Sequence, residues 1–95
     1  MPKDIIVIGA SAGGLEAMRV LVGALPADLA ASVFFVLHTS PLSPGLLPGI
    51  LDRSGPLPAV DPQDFERIRP GHIYVAPPDQ HLVIEPGVVR LTRGP

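Results

Sequence analysis

Cysteine is absent from all 95 residues, which excludes a disulfide framework, a thiolate nucleophile and any cysteine-built metal site. Charge is also scarce. Seven Lys and Arg stand against nine Asp and Glu, scattered along the chain, for a net charge of −2. With no basic stripe there is no electrostatic footprint for nucleic acid or for a polybasic membrane contact. Long apolar runs are missing too: none approaches the roughly 20 residues of a membrane span. Met1-Pro2-Lys3-Asp4 leads straight into a strand-like segment, unlike a secretory leader with its charged region and cleavage site. Neither nucleic-acid binding nor membrane insertion is expected, and the expected location is the cytoplasm.

What is plentiful points to a packed core. A hydrophobic content of 46% is incompatible with disorder, which needs low hydrophobicity and high net charge. Thirteen prolines and ten glycines follow no period, so they punctuate short elements rather than build a repeat. The length suits one small domain or part of one.

Ile5-Ile6-Val7-Ile8 is a β-branched run closed by Gly9, the pattern of a strand buried on both faces in the middle of a parallel sheet. After Gly13-Gly14, residues Leu15, Met18, Leu21, Val22 and Leu25 recur at helical spacing until Pro26. Val33 to Leu37 is a second continuous apolar run. A helix between two such runs implies a right-handed crossover to a parallel neighbour. Ser43-Pro44 reads as a helix cap followed by proline in the first turn, with Leu46, Leu47, Ile50 and Leu51 as the apolar face before Gly55. Leu57 to Val60 and Ile73 to Ala76 read as further strands. His81 to Glu85 and Val88 to Thr92 flank Pro86-Gly87 as a β-hairpin.

Gly9-Ala10-Ser11-Ala12-Gly13 fits G-x-S-x-G between a predicted strand and a predicted helix, the context that gives this pattern its chemistry. A sharp strand-to-helix turn lifts the serine hydroxyl above the sheet, and small neighbours leave room for a substrate. The helix start brings free N–H groups and a partial charge of roughly +0.5, favourable to an oxyanion. The N–H of Ala12 is the natural donor, with Gly13 beside it. A serine hydroxyl also needs a base, and histidine has the suitable pKa near neutrality. His38 follows the second apolar run, so in a parallel pair it shares a carboxyl edge with Ser11. His72 precedes a strand and His81 opens the hairpin, which makes both poorer candidates. A plain connecting loop is the simplest alternative for the glycine turn. Gly9, Ser11 and Gly14 also match the spacing of a dinucleotide fingerprint, but that site calls for Asp or Glu about twenty residues on. His38-Thr39-Ser40 stands there instead.

Three segments together resemble a known family. Ile6 to Ala17, Val36-Leu37-His38, and Pro70 to Leu82 with its Tyr74-Val75-Ala76-Pro77-Pro78-Asp79 core look like the catalytic domain of CheB-type chemotaxis methylesterases. The resemblance implies an α/β fold: a doubly wound, mostly parallel three-layer sheet with a β-hairpin, truncated after about half the domain. Residues 1–95 are accordingly expected to be a partial CheB-type catalytic domain with no receiver domain, since no acidic phosphoacceptor cluster precedes the first strand.

The resemblance further implies a serine hydrolase that removes methyl groups from glutamate γ-methyl esters on chemoreceptors, and deamidates glutamines, without metal or cofactor. Ser11 would be the nucleophile and His38 the base of a Ser-His-Asp triad, with Ala12 and Gly13 at the oxyanion and substrate positions. Chemoreceptor cytoplasmic helices would be the partners, together with a chemotaxis methyltransferase. No residue matches the family's aspartate motif. Asp79 belongs to the Ala-Pro-Pro-Asp block and does not take that role. Loss of the acid costs on the order of 10⁴ in turnover in a related triad. Ala12 replaces a frequent threonine, and Thr39-Ser40-Pro41 replaces a frequent Met-Pro pair. A non-catalytic fragment that binds receptor helices or the methyltransferase is the second reading.

Overall fold

The two apolar runs lie side by side as parallel strands. In the computed structural model, which describes residues 4–10, 14–37, 46–76 and 80–92, β1 is Ile5–Ala10 and β2 is Ser32–Leu37. Their register runs from Ile5 opposite Ser32 to Ala10 opposite Leu37. Between them α1 (Leu15–Ala24) forms the crossover. α2 (Leu46–Ser54) follows, then the short β3 (Ala59–Val60), β4 (Glu66–Arg67) and β5 (Ile73–Val75), and a hairpin of β6 (His81–Glu85) and β7 (Val88–Thr92). β5 pairs parallel with both β2 and β3, giving a four-stranded parallel sheet in the order β1-β2-β5-β3. β4, β7 and β6 form a separate antiparallel sheet in that order. The α/β class, the parallel sheet and the hairpin are as the sequence implies.

Alternation of side chains along each strand builds two cores, one on each face of the parallel sheet. Val33 and Phe35 of β2, with Ile73 and Val75 of β5, face the helices and pack on Met18, Val22, Leu47 and Leu51. Phe34 and Tyr74 face the other way and pack on Ile68 and Val89 beneath the antiparallel sheet. The result is three layers: helices, parallel sheet, antiparallel sheet.

Individual residues explain the joints. Pro48 lies in the first turn of α2, where backbone amides have no intrahelical acceptor, so the N–H that proline lacks costs the helix no hydrogen bond. The Ser43-Pro44 cap lies outside the described residues. Gly55 follows α2 at a point where a Cβ would strike the carbonyl of Val22, so only glycine lets α1 and the end of α2 approach this closely. The hairpin closes with proline followed by Gly87 at φ +79°, the combination a type II turn requires. The Tyr74 hydroxyl accepts a hydrogen bond from the Arg69 amide (2.8 Å) and donates to the Arg67 carbonyl (3.2 Å). The buried Ser32 hydroxyl donates to the Arg69 carbonyl (2.8 Å). These bonds pin the segment between β4 and β5 to the underside of the parallel sheet.

Three sequence expectations are corrected. β1 is not buried on both faces: Ile5, Ile6 and Val7 are exposed, because among the described strands β1 is the outermost of the parallel sheet. Leu21 of α1 and Leu46 of α2 are exposed as well, although both fall on the predicted apolar faces. Each short helix turns a narrower stripe inward, Met18 and Val22 in α1 and Leu47 and Leu51 in α2.

Candidate active site

Ser11, Ala12, Gly13 and His38, the residues singled out in the sequence, lie outside the described residues, as does Asp79. What the structure does describe is the frame around them. β1 ends at Ala10 and β2 at Leu37, and these two residues are direct partners across the parallel pair. Ala10 is the residue before Ser11, and Leu37 the residue before His38. Two neighbouring strands therefore end level with one another at the carboxyl edge, where open α/β sheets bind their ligands.

The ground near that edge is uncrowded. Gly9 is exposed, and a Cβ added there would meet nothing within 4 Å. α1 begins at Leu15, five residues beyond the end of β1 at Ala10. Gly14 occupies its cap with φ −91° and ψ 10°, and no side chain hydrogen-bonds the cap. The first-turn amides of a helix have no intrahelical acceptors, so this end of α1 has N–H groups and positive dipole to offer an anion. The first-turn Glu16 leans to Arg19, 3.4 Å away on the exposed side of the helix.

Other titratable groups are placed elsewhere. His72 precedes β5, where its carbonyl accepts from the Val33 amide (3.0 Å) and its Nδ1 sits 3.0 Å from the Pro70 carbonyl. Val33 is near the amino end of β2, so His72 belongs to the edge opposite Leu37, as expected. His81 opens β6, also as expected. Asp61 was missed in the sequence, and it is the residue just past the carboxyl end of β3. Burial pushes its carboxyl above the ordinary range, and the nearby Glu66 adds to the effect. It is no partner for the β1–β2 edge. Val60 stands level with Tyr74 and, through it, with Phe34, so Asp61 is two strands away from β2, about 10 Å, and well short of the level of Leu37.

A cleft of about 400 Å³ lies between β1 and the hairpin turn, lined by Ile5, Ile68, Ile84, Glu85, Pro86 and Gly87. Ile5 begins the six-residue β1 and is about 16 Å from its end at Ala10. This apolar cleft is therefore distinct from the edge that Ser11 and His38 adjoin.

Comparison with known proteins agrees with this frame. Residues 6–95 match the family model described as CheB methylesterase. The protein-glutamate methylesterase/protein-glutamine glutaminase of Maricaulis maris is 37% identical over 81 residues, covering 85% of this chain and 20% of its own length. A putative protein of the same name from Leptospira interrogans is 36% identical over 85 residues, covering 90% of this chain and 44% of its own. The crystal structure of the Thermotoga maritima CheB methylesterase catalytic domain superposes with a TM-score of 0.82 at 29% identity, over 100% of this chain and 52% of that one. The chain thus spans about half or less of the length of the proteins it matches.

Proposed function

The chain belongs to the CheB methylesterase family, and from that premise we propose that it carries the nucleophile and base of a protein-glutamate methylesterase, Ser11 and His38. The observation that supports this most is the register of β1 and β2, in which Ala10 and Leu37 are partners. Adjacent strands are about 4.8 Å apart and consecutive α-carbons 3.8 Å. On this reading Ser11 and His38, each one residue beyond that pair, would be brought within side-chain reach of each other.

On this reading residues 1–95 are part of a catalytic domain, and the reaction is acyl transfer to water. His38 takes the proton of Ser11 as its hydroxyl oxygen attacks the carbonyl of a glutamate γ-methyl ester. The Ala12 N–H, with Gly13 and the uncapped start of α1, stabilises the oxyanion. His38 then returns the proton to the departing methoxide, releasing methanol. Water, deprotonated by His38, splits the acyl-serine to leave glutamate. A glutamine side chain would follow the same steps and release ammonia. The partners would be the cytoplasmic helices of methylated chemoreceptors and a chemotaxis methyltransferase. A cytoplasmic setting fits these partners, and no helix among the described residues is long and apolar enough to cross a membrane. No described feature favours the non-catalytic reading.

The test is methanol release from a methylated chemoreceptor by a domain in which residues 1–95 are followed by the second half of the Thermotoga maritima catalytic domain. Ser11→Ala and His38→Ala should each lower the rate by about 10³-fold or more, as loss of a triad member does elsewhere. An active fusion that keeps its rate after Ser11→Ala would refute the assignment.

A further inference from the structure

We propose that the outer edge of β6 is a self-pairing surface, to which a second copy of this chain adds its own β6 about a two-fold axis at Val83. Among the described strands β6 stands at the end of the antiparallel sheet, in the order β4-β7-β6. Exposed edges are ordinarily blunted by lysine, proline or inward-pointing charge. His81–Glu85 contains neither lysine nor proline. Its two inward-facing residues, Leu82 and Ile84, are apolar and pack against the core beneath the sheet.

The backbone of β6 is set for this addition. On β7, the Leu91 amide donates to the Asp64 carboxylate and the Val89 carbonyl accepts from the Phe65 amide, so Leu91 and Val89 direct their backbone groups away from β6. Leu91 stands opposite Leu82, and Val89 opposite Ile84. In an antiparallel pair, residues opposite each other alternate between exchanging both hydrogen bonds and exchanging none. His81, Val83 and Glu85 are therefore the residues bonded to β7. Leu82 and Ile84 turn their N–H and C=O groups to the outer edge.

Side chains choose the register. With Val83 opposite its own copy, Leu82 of each chain lies opposite Ile84 of the other, and these pairs exchange both N–H···O bonds across the axis. On the solvent face Val83, 43% exposed, covers its counterpart, and His81 lies across from Glu85, an imidazole N–H facing a carboxylate. A slide of two residues in either direction would set His81 or Glu85 against Val83 instead. On the inner face Leu82 and Ile84, half-buried at the edge, cover each other. The extension needs no further layer, because an antiparallel sheet tolerates one solvated face. β1 is also an edge among the described strands. The Ser32 amide donates to the Asp4 carbonyl at 3.0 Å, so by alternation Ile6 serves β2 while Val7 and Gly9 face outward. That edge suits a second copy less well: a two-fold axis would bring β1 in antiparallel to a parallel sheet, and Ile5–Ala10 carries no charge to fix a register.

The experiment is sedimentation equilibrium of the 95-residue chain, run from about 10 µM to about 1 mM because an interface of one strand from each copy is small. A reversible shift from one copy to two is expected. Over the same range amide exchange at Leu82 and Ile84 should slow by about 10-fold or more, with Val7 and Gly9 unchanged. Val83→Lys and Val83→Glu should each hold the chain monomeric, since like charges then oppose each other across the axis. An equimolar mixture of the two variants should dimerise again through opposite charges, a rescue that separates lost pairing from lost folding. A chain monomeric over the whole range, a dimer that slows Val7 and Gly9 instead, a dimer that survives Val83→Lys, or a mixture that stays monomeric would each overturn the proposal.

Discussion

Asp64 organises a corner that no local pattern announces. Its Oδ1 accepts from the Leu91 amide at 2.8 Å and from the Arg90 Nε at 3.0 Å, across a sequence separation of 26 or 27 residues. The Arg90 guanidinium in turn lies 4.0 Å from the ring centroid of Phe65. Phe65 is held at φ +66°, a left-handed conformation uncommon for a non-glycine residue. These partners meet only when β4 docks on β7, so neither the brace nor the strained residue was legible in the sequence. The two strands that end level at Ala10 and Leu37 were legible, because each is a contiguous apolar run. The two aspartates near this corner should titrate in opposite senses. The Leu91 amide, and then Arg90, hold the Asp64 carboxyl below the ordinary 3.8, whereas burial lifts Asp61 above it. Because the folded-state pKa of Asp64 is depressed, its stabilisation is complete above the unfolded pKa and is lost as pH falls through the folded value. A carboxyl-carbon NMR titration should therefore find Asp64 below an ordinary aspartate and Asp61 above it. The stability deficit of Asp64→Asn should shrink as pH drops below about 4. Reversed titration order would contradict the described hydrogen bonds.

Elements with a strong internal period were the most readable. β1, β2, both helices and the hairpin all occur where apolar runs, helical spacing and Pro86-Gly87 put them. β4 was not foreseen. Glu66 and Arg67 have no apolar alternation, and they become a strand only through pairing with Val89 and Val88. Helix faces were read too widely for a similar reason: spacing identifies a side of a helix, but the neighbour decides how much of it is covered. Contact between α1 and α2 depends on glycine in a way that can be measured. A Cβ at Gly55 would overlap the backbone carbonyl of Val22, with the Val22 carbonyl carbon only 2.9 Å away, and backbone cannot swing aside as a side-chain tip can. Gly55→Ala should destabilise the chain by about 1–3 kcal/mol, the usual range for overpacking. Gly49, inside α2, is the control. A Cβ there meets only the tip of the Arg53 side chain at 3.4 Å, so Gly49→Ala should stabilise by about 0.5–1 kcal/mol through helix propensity. Urea denaturation of the two variants should give opposite signs. Equal effects would mean that the helices do not approach at Gly55.

At the scale of the molecule, stability is distributed unevenly across the parallel sheet. β2 and β5 are covered on both faces, by the helices through Val33, Phe35, Ile73 and Val75 and by the antiparallel sheet through Phe34 and Tyr74. β1 has the same apolar composition but, among the described residues, a strand neighbour on one side only. Composition alone therefore suggested burial on both faces, and the difference lies in strand order, which a run of β-branched residues does not encode. The consequence is a gradient of hydrogen exchange along one sheet. The Val33 amide donates to the His72 carbonyl at 3.0 Å, and the Ile73 amide to the Pro58 carbonyl at 2.9 Å, both in buried backbone. Such amides exchange only through large-scale opening, whereas amides without protein acceptors exchange through local fluctuation or directly. In the 95-residue chain on its own, Val33 and Ile73 should be among the slowest amides, and Val7 and Gly9 should exchange close to the rate of an unstructured peptide. The contrast between Val7 and Ile6, consecutive residues of one strand, is the sharpest part of the pattern, because only Ile6 faces β2. Equal protection at both positions would show that the outer edge of β1 is already paired in solution. The free-edge description of this four-stranded sheet would then be wrong.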